Sequence, residues 1–445
     1  MAVDYELVCR RGELGPLLTA AFLAGSGDCR ILVLPSRLPE NAHPKFLVPV
    51  LRGYPAELLA RLVNLEVVPD NLLSWRKNDF CAFWSRIGRE AAERDLQAVF
   101  SSAAPEAMAW AQLERLWTML DECMRKGLEM PVSSLSGSGR MLWLVVQNEL
   151  LRESRNLKLS HWLSDSGIPA AERDFWRALV PLVTLARFTD PPLLAFAYGI
   201  MALAAPAGWL AVDRLEAHLC RYLHSRGAEF VEDDWSPVFD GKWYVGVGNN
   251  RKVSRRSTVF LADSNPVNLL CEVESRLQRR DFRRQFVLAT QGFAAACSPS
   301  KSRPETREGL YHLECPVSGE PLSGSRLFYN NDFSVPEHNL RLEHGWQPLS
   351  GGAAFPESGC WGWEPKLPAM MGGGFLPLRC GFMRFYQVGW HNLPGLGFGG
   401  LVYSAWQVAR TVWTHDLQRR ADDLMGGQQP SASKPDNEIC GGKSA

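Results

Sequence analysis

The sequence predicts an α/β protein whose sheet-forming segments are discontinuous and are separated by a helix-rich insertion. Three observations support this class. The chain opens with a strand, a turn, a helix and a second strand. Amphipathic helices then dominate from about residue 41 to residue 200, and strands return from about residue 229. Alternation of strands and helices along a chain is typical of sheets covered by helices.

The N-terminal unit has the layout of a dinucleotide-binding βαβ motif. An apolar strand begins at Tyr5, an Ala- and Leu-rich helix follows over residues 17–24, and a second strand is predicted at residues 31–34. In such a motif the turn and the helix N-terminus hold a pyrophosphate. The layout therefore predicts where a dinucleotide would bind in this fold.

The three fingerprint glycines of this motif are incomplete in both alignments that the sequence allows. In register from Tyr5, the glycine positions are occupied by Arg11, Glu13 and Pro16. Shifted by one residue, they are occupied by Arg10, Gly12 and Gly15. The frame predicts a fold, whereas the residues argue against the usual ligand of that fold.

Two side chains oppose a dinucleotide most directly. Glu13 brings a negative charge to the turn, and like charges about 4 Å apart near a protein surface repel by roughly 4 kcal/mol. Pro35 ends the second strand, where an acidic residue normally holds the ribose hydroxyls. Arg10 and Arg11 could attract a phosphate in an altered geometry, and a βαβ unit without any ligand is the competing interpretation.

The middle of the chain contains predicted helices and strands in recognisable order. Helical spacing of apolar residues predicts helices at residues 55–65, 107–124, 141–151, 170–185 and 212–225. Strands are predicted at residues 229–231, 242–247 and 258–262. Residues 298–309 are expected to form a surface loop, and a disordered tail is expected from about residue 426.

The uncharged stretch at residues 191–212 is interpreted as a buried helix rather than a membrane span. It is bounded and interrupted by prolines and glycines, which is atypical of a span.

Composition limits the partners and the compartment. Equal numbers of basic and acidic residues, 48 each, give no electrostatic case for nucleic acid. Eleven cysteines without any C-x-x-C pair predict free thiols in a reducing compartment. The N-terminal residues suggest no signal peptide, and we expect a cytoplasmic protein.

Two basic clusters are interpreted first as solvated faces and second as a patch for anionic lipid headgroups, with peripheral contact to the inner face of a membrane left open. The clusters are Arg251, Lys252, Arg255 and Arg256, and Arg276, Arg279, Arg280, Arg283 and Arg284.

A second glycine-dense turn lies near the C-terminus. A strand at residues 385–388 precedes Gly389, the motif Pro394-Gly395-x-Gly397-x-x-Gly400 follows, and a helix is predicted at residues 401–412. Bare backbone N–H groups converge in such turns, which makes them suited to phosphate or a polar chain.

Four segments together resemble the flavin-dependent phytoene desaturase and amine oxidase superfamily, and the desaturase-like branch most. They are the N-terminal βαβ unit, residues 197–229, residues 259–266 with their Asn-Pro turn, and the C-terminal glycine motif.

The resemblance implies a Rossmann-like FAD/NAD(P)-binding domain formed by residues 1–40, 205–275 and 375–425. It also implies a helix-rich substrate domain formed by residues 41–204 and 276–374, before the tail at residues 426–445. FAD would be held at Gly12, Gly15, Gly389, Gly395, Gly397 and Gly400.

The C-terminal motif also departs from the family. Trp390 stands where relatives have Asp or a small residue, and His391 and Asn392 replace small or hydroxylic residues. Both ends of the implied flavin site are therefore altered, which makes FAD binding doubtful.

Histidine-based sites have weaker support. Glu13 and His391 could form an acid–base pair, but unrelated occupants of a vacated cleft are the favoured interpretation. His218 and His224 have the wrong spacing for ligands on one helix face, and His338 and His344 are only a remote metal candidate. The sequence names no catalytic residue and predicts no metal.

Two functions from different classes follow. The first is a degenerate desaturase-like protein with lost or weakened FAD binding, which binds an apolar, isoprenoid-like ligand or lipid, or a protein partner. The GDP-dissociation inhibitors, which resemble the same fold and use no flavin, are the precedent. The second is an active FAD-dependent oxidoreductase, a desaturase or isomerase, acting on an isoprenoid or other apolar substrate.

Overall fold

A computed structural model describes part of the chain in separate segments. The described residues are 4–25, 29–36, 47–50, 53–64, 73–74, 104–128, 143, 146–154, 157–168, 173, 176, 190–204, 208–232, 236–239, 244–248, 251–262, 286–288, 294–297, 310–314, 326–330, 363–365, 379–380, 384–389, 393 and 396–417.

Helices and strands alternate through these segments. The helices are α1 (Leu14–Gly25), α2 (Tyr54–Asn64), α3 (Ala104–Arg125), α4 (Glu149–Ser154), α5 (Leu159–Asp165), α6 (Leu193–Ala204), α7 (Val212–Ser225) and α8 (Gly397–Thr411), and a π-helical turn at Val412–Asp416 continues α8. The strands are β1 (Tyr5–Arg10), β2 (Ile31–Leu34), β3 (Leu47–Val50), β4 (Leu73–Ser74), β5 (Gly208–Ala211), β6 (Glu229–Phe230), β7 (Ser236–Phe239), β8 (Tyr244–Gly248), β9 (Arg251–Ala262), β10 (Phe286–Leu288), β11 (Ala294–Cys297), β12 (Leu310–Glu314), β13 (Arg326–Asn330), β14 (Trp363–Pro365), β15 (Arg379–Cys380) and β16 (Phe385–Gln387).

The largest sheet has five neighbouring parallel strands in the order β16-β9-β1-β2-β6. Strand β15 pairs antiparallel to β16, and the β7–β8 hairpin joins antiparallel to β9. The α/β class is therefore confirmed, with the parallel β–α–β arrangement of a Rossmann-like core. These parallel strands come from distant parts of the chain, whereas the predicted domain boundaries stay predictions.

Smaller antiparallel sheets accompany the large one. Strand β5 lies between β3 and β4, strand β13 lies between β11 and β12, and β10 pairs with β14.

Both faces of the parallel strands are buried, which explains why their sequences are apolar without strict alternation. On one face, Leu7 and Cys9 of β1 belong to the large core that includes helices α1, α7 and α8. On the other face, Val8 packs in a smaller cluster with Phe260 and Phe385.

Helix α1 is buried along nearly its whole length, and it joins the two glycine-bearing ends of the chain. It packs against α8, where the Thr19 hydroxyl donates hydrogen bonds to the carbonyl oxygens of Gly15 and Ala405, at 3.0 and 3.3 Å. The N- and C-terminal segments are therefore held side by side.

Helix α6 confirms a buried helix in the first part of the uncharged stretch, whereas a strand, β5, lies near its end. Its residues from Leu193 to Met201 are buried in the large core, and the chain then enters β5. Within the described residues, no helix has both the length and the apolar character needed to cross a membrane.

Several predicted elements agree closely with the structure. Helix α7 has the predicted bounds, α2 begins and ends one residue earlier than predicted, and α3 extends the predicted helix at both ends. Strands β6, β8 and β16 match their predictions to within two residues at each end.

Other boundaries were wrong. Strand β9 begins at Arg251 rather than at residue 258, because its first half pairs with β8 in a hairpin that local sequence does not reveal. Helix α8 begins at Gly397 rather than at residue 401, because the glycine motif enters the helix itself.

The remaining predicted segments are only partly described. Of the helix predicted at residues 141–151, the structure describes α4 and a few helical residues before it, and of that at residues 170–185 only Arg173 and Trp176, both helical. The loop at residues 298–309 and the tail from residue 426 lie outside the described residues.

Candidate functional site

The candidate site lies where the carboxyl ends of β1, β2, β9 and β16 meet. The Arg11 N–H donates to the Leu34 carbonyl at 2.9 Å, and the Val388 N–H donates to the Ala262 carbonyl at 2.8 Å. These bonds align the residues that follow four parallel strands along one edge. Ligands of open α/β sheets bind at this kind of edge.

The turn after β1 has the backbone of a dinucleotide-binding turn. Gly12 has a φ of +81°, a conformation that glycine adopts without a Cβ penalty. A Cβ on Gly15 would lie 2.1 Å from the Val388 carbonyl oxygen, so α1 meets the end of β16 backbone to backbone. These geometries match the second and third fingerprint glycines and favour the register in which Arg10 takes the first position.

Arg10 has a side chain that is buried rather than displayed to a ligand. The residue is 1 % exposed, and strand alternation places it on the same sheet face as Val8. Its guanidinium is therefore not a solvent-facing attractor for phosphate, contrary to one expectation from the sequence.

Arg11 is engaged by a carboxylate of the chain. Its guanidinium donates to both carboxylate oxygens of Glu232, at 2.9 Å each. The side chains are 32 % and 82 % exposed, and pairs this exposed contribute about 0.2–1 kcal/mol. The pair orients Arg11 without fixing it strongly.

The amide of Gly12 is already bonded to an anion supplied by the chain itself. Glu216, on α7, accepts a hydrogen bond from the Gly12 N–H at 2.6 Å in a part-buried position. Charge-assisted bonds of this kind are worth about 1.5–3 kcal/mol, and a helix N-terminus favours negative charge further. A protein carboxylate thus occupies a donor that a diphosphate would need.

The thiols near this turn stay protonated at neutral pH. Burial raises the pKa of Cys220 to about 12, helped by the Glu216 carboxylate and partly offset by Arg11. Burial also raises the pKa of Cys9 well above its ordinary range, with smaller contributions from Cys220 and Glu13. Since the thiolate is the reactive form, neither cysteine is set up as a nucleophile.

The end of β2 lacks the acceptor that a ribose would need. Pro35 follows Leu34 directly, and the hydrogen bond between Arg11 and Leu34 places it beside the turn. A proline side chain accepts no hydrogen bond, as the sequence predicted.

The C-terminal glycine motif adjoins the first turn at one point. Gly389 is buried and directly follows Val388, the residue that Gly15 contacts. Gly397 opens α8, and a Cβ on Gly400 would lie 2.7 Å from the Leu396 Cβ. Gly395, Trp390, His391, Asn392 and Pro394 lie outside the described residues. The structure therefore brings Gly15 and Gly389 together and gives Gly400 a packing role.

The side chains at this turn compete with a diphosphate for its hydrogen-bond donors. Glu216 holds the Gly12 amide, Glu232 holds the Arg11 guanidinium, and Glu13 directly follows Gly12 in the chain. A diphosphate would add negative charge where an anion is already bound. The backbone has the geometry of a dinucleotide turn, whereas a carboxylate of the chain holds the Gly12 amide.

The two described histidines of the sequence candidates do not converge. His218 contacts the Arg221 guanidinium, and His224 packs edge-on against Phe230 with ring centroids 5.8 Å apart. Burial and the Arg221 charge lower the pKa of His218. In the described part of the chain, no group of three or more His, Cys, Asp or Glu could hold a metal.

Most of the other candidates from the sequence fall outside the part of the chain that the structure describes. His338, His344 and the second basic cluster lie outside the described residues, and the first basic cluster lies on β9. Within the described residues, the structure shows free thiols at Cys9, Cys29, Cys123 and Cys220.

Sequence reasoning missed Glu216 and Glu232. Glu216 is 204 residues from Gly12, and Glu232 is 221 residues from Arg11. No local pattern marks either glutamate, because one lies on an amphipathic helix and the other follows a short strand.

No protein-family model and no curated protein sequence matches the chain. A cyclohexylamine oxidase from Brevibacterium oxydans aligns with 12% identity over 94% of this chain and 100% of its own, with a TM-score of 0.47. A CLA-producing fatty acid isomerase from P. acnes aligns with 12% identity over 92% and 99%, with a TM-score of 0.49.

A third solved structure, a Rab GDI from Plasmodium falciparum, aligns with 11% identity over 94% of this chain and 99% of its own, with a TM-score of 0.43. At these identities and TM-scores, the three alignments carry no argument about the function of this chain.

Proposed function

We propose that this chain is a desaturase-like protein on a flavoprotein-type α/β fold that has lost FAD binding. It serves as a binding protein for an apolar, isoprenoid-like ligand or lipid, or for a protein partner. The observation that carries this proposal is the hydrogen bond from the Gly12 amide to Glu216, since a dinucleotide would need that amide for its diphosphate.

The side chains around this bond support the same conclusion. Glu13 adds a second negative charge at the turn, and Pro35 offers no acceptor for a ribose. Each change removes a different contact of a bound dinucleotide, so compensation would have to occur at several positions together.

A second function has one specific observation in its favour. Gly12 keeps the positive φ of a functional dinucleotide turn, and Gly15 keeps its close backbone approach. On this alternative, the chain is an active FAD-dependent oxidoreductase, a desaturase or isomerase, for an isoprenoid or other apolar substrate. FAD would supply the redox chemistry, and the protein would supply orientation and an apolar cavity.

The visible absorption spectrum of the purified protein separates the two functions. We expect no flavin absorption as purified, and none after incubation with FAD followed by desalting. A retained flavin spectrum would reject the proposed function and favour the oxidoreductase.

Extraction of the purified protein with organic solvent, followed by mass spectrometry, tests for the apolar ligand. Pull-down from a lysate, with the purified protein as bait, tests for a protein partner. Recovery of neither an apolar molecule nor a specific partner would contradict the binding role.

A further inference from the structure

The C-terminal end of α8 departs from the α-helical register. Residues Val412–Asp416 form a π-helical turn, which the Leu417 N–H closes with a hydrogen bond to the Val412 carbonyl at 2.9 Å. Turns of this kind are rare, and they occur frequently at functional sites. The turn contains no proline or glycine that would impose it. Its cause therefore lies in a contact with another part of the chain.

Asp416, the last residue of the π-helical turn, supplies that contact. Its side chain is 3 % exposed, and its Oδ2 atom accepts a hydrogen bond from the Tyr386 hydroxyl at 2.5 Å. Its Oδ1 atom lies 3.5 Å from the Arg384 Nε. Burial of a carboxylate is costly unless the charge is paired and hydrogen-bonded. Both oxygens of Asp416 meet this need at the start of β16.

Arg384 has a backbone conformation that is unfavourable for any residue except glycine. Its φ is +48°, and every other residue with a positive φ in the described part of the chain is a glycine. Its carbonyl oxygen accepts a hydrogen bond from the Phe260 N–H at 3.2 Å, which ties this residue to β9. Two unfavourable local conformations, the π-helical turn and the positive φ of Arg384, therefore meet at the Asp416 carboxylate.

We propose that Asp416 is a conformational latch that selects between two registers at the end of α8. While its carboxylate is seated against Tyr386 and Arg384, residues 412–416 are π-helical. Once the carboxylate is lost, the same residues adopt the α-helical register. The latch goes beyond the proposed function, and it holds whether or not the chain binds FAD.

The two registers exclude one another at position 416. A π-helical turn contains more residues than an α-helical turn, so the α-helical register rotates position 416 about the helix axis and away from Tyr386. The middle of the turn leaves room for this change, because Thr414 and His415 are exposed. Val412 and Trp413 are buried and anchor the start of the turn.

Hydrogen exchange measured by mass spectrometry on wild type and Asp416→Ala tests the latch. We expect the amides of residues 412–417 to exchange at least about tenfold faster in the variant, because a hydrogen bond to a charged group is lost there. Peptides from α7 should exchange as in wild type. Unchanged exchange at residues 412–417, or an equal acceleration in α7, would overturn the latch.

Two further variants locate the effect. Tyr386→Phe removes only the hydroxyl, and it should accelerate exchange at residues 412–417 by less than Asp416→Ala does. Thr414→Ala is the matched control on the same turn, because the Thr414 hydroxyl donates to the Arg410 carbonyl and not to Asp416. It should leave exchange within about twofold of wild type. Equal acceleration by Thr414→Ala and Asp416→Ala would contradict the assignment.

Substitutions of Arg384 separate the backbone conformation from the charge. Arg384→Gly and Arg384→Ala both remove the guanidinium, but only glycine adopts a positive φ without a penalty. The Phe260 amide, which donates to the carbonyl of this residue, should therefore exchange faster in Arg384→Ala than in Arg384→Gly. Equal exchange of this amide in the two variants would contradict a strained conformation held by Asp416.

A crystal structure of Asp416→Ala decides the register directly. We expect α-helical hydrogen bonds through residues 412–416, and a retained π-helical turn would overturn the proposal. Asp416→Asn carries the exchange test if the alanine variant does not fold. It keeps an acceptor for the Tyr386 hydroxyl and removes the charge, so its exchange rate should lie between those of wild type and Tyr386→Phe. Wild-type exchange in every folded variant of Asp416 and Tyr386 would also overturn the latch.

Discussion

Substitution of Gly15 by alanine tests the contact that joins the two glycine-bearing turns. A Cβ at this position would lie 2.1 Å from the Val388 carbonyl oxygen and 2.7 Å from its carbonyl carbon. Val388 is held in place by its own N–H, which donates to Ala262 at 2.8 Å. The methyl group would therefore meet backbone that is fixed from the other side.

Two opposing effects set the magnitude. Gly15 lies in the first turn of α1, where replacing glycine by alanine in a helix favours folding by up to about 1 kcal/mol. Overpacking of a well-packed interior costs about 1–3 kcal/mol or more, and here the obstacle is backbone rather than a movable side chain. We expect net destabilisation on the order of 2 kcal/mol.

Urea unfolding followed by circular dichroism measures this change as a lower midpoint. Gly227→Ala is the control without a steric clash, because no atom lies within 4 Å of its added Cβ, although Gly227, unlike Gly15, has a positive φ, +82°. It should cost only the backbone term, about 1 kcal/mol. A Gly15→Ala protein as stable as wild type would refute the close approach of α1 to Val388.

Two further changes have defined outcomes. Asp121→Ala should lower the free energy of unfolding by about 2–3 kcal/mol in urea titrations. The Asp121 carboxylate accepts a hydrogen bond from the buried Tyr54 N–H at 2.6 Å, and the substitution leaves that N–H without its acceptor. The exposed neighbour Glu122 should tolerate alanine to within about 0.5 kcal/mol, and equal losses at both positions would contradict the role of Asp121. The raised pKa of Cys220, about 12 against an ordinary 9.0, means that the folded thiol keeps its proton after the unfolded thiol has lost it. The free energy of unfolding should therefore fall by about 1.4 kcal/mol per pH unit between pH 9 and pH 12. Unfolding midpoints of Cys220→Ala should depend less steeply on pH than those of wild type. Identical pH dependence in the two proteins would contradict this linkage.

The elements that could be predicted are those with a strong local pattern. Helix α7 was placed at its observed bounds because apolar residues recur at helical spacing on one face while charged residues occupy the other. Strand β2 was placed correctly because a short, wholly apolar run between turn residues is typical of a buried parallel strand.

The elements that were placed wrongly depend on partners distant in sequence. The first half of β9 carries four basic residues, and it forms a strand because β8 pairs with it. Helix α8 starts within a glycine-rich motif although glycine has a low helix propensity. It does so because the first turn of α8 packs tightly against Leu396 and Leu393.

The candidate site divides in the same way. The sequence placed the turn, its glycines, Glu13 and Pro35, and it raised the doubt about FAD. It could not find the carboxylate that holds the Gly12 amide, and it left Arg10 open as a phosphate attractor although its side chain is buried.

The sequence by itself determined the α/β class, the βαβ frame and the incomplete fingerprint, because hydrophobic periodicity and turn residues are local properties of the chain. Only the tertiary structure decided which register of glycines the turn uses and which group occupies its amide. The physical reason is that Gly15 meets Val388, and Gly12 meets Glu216 from 204 residues away, only when the parallel strands align.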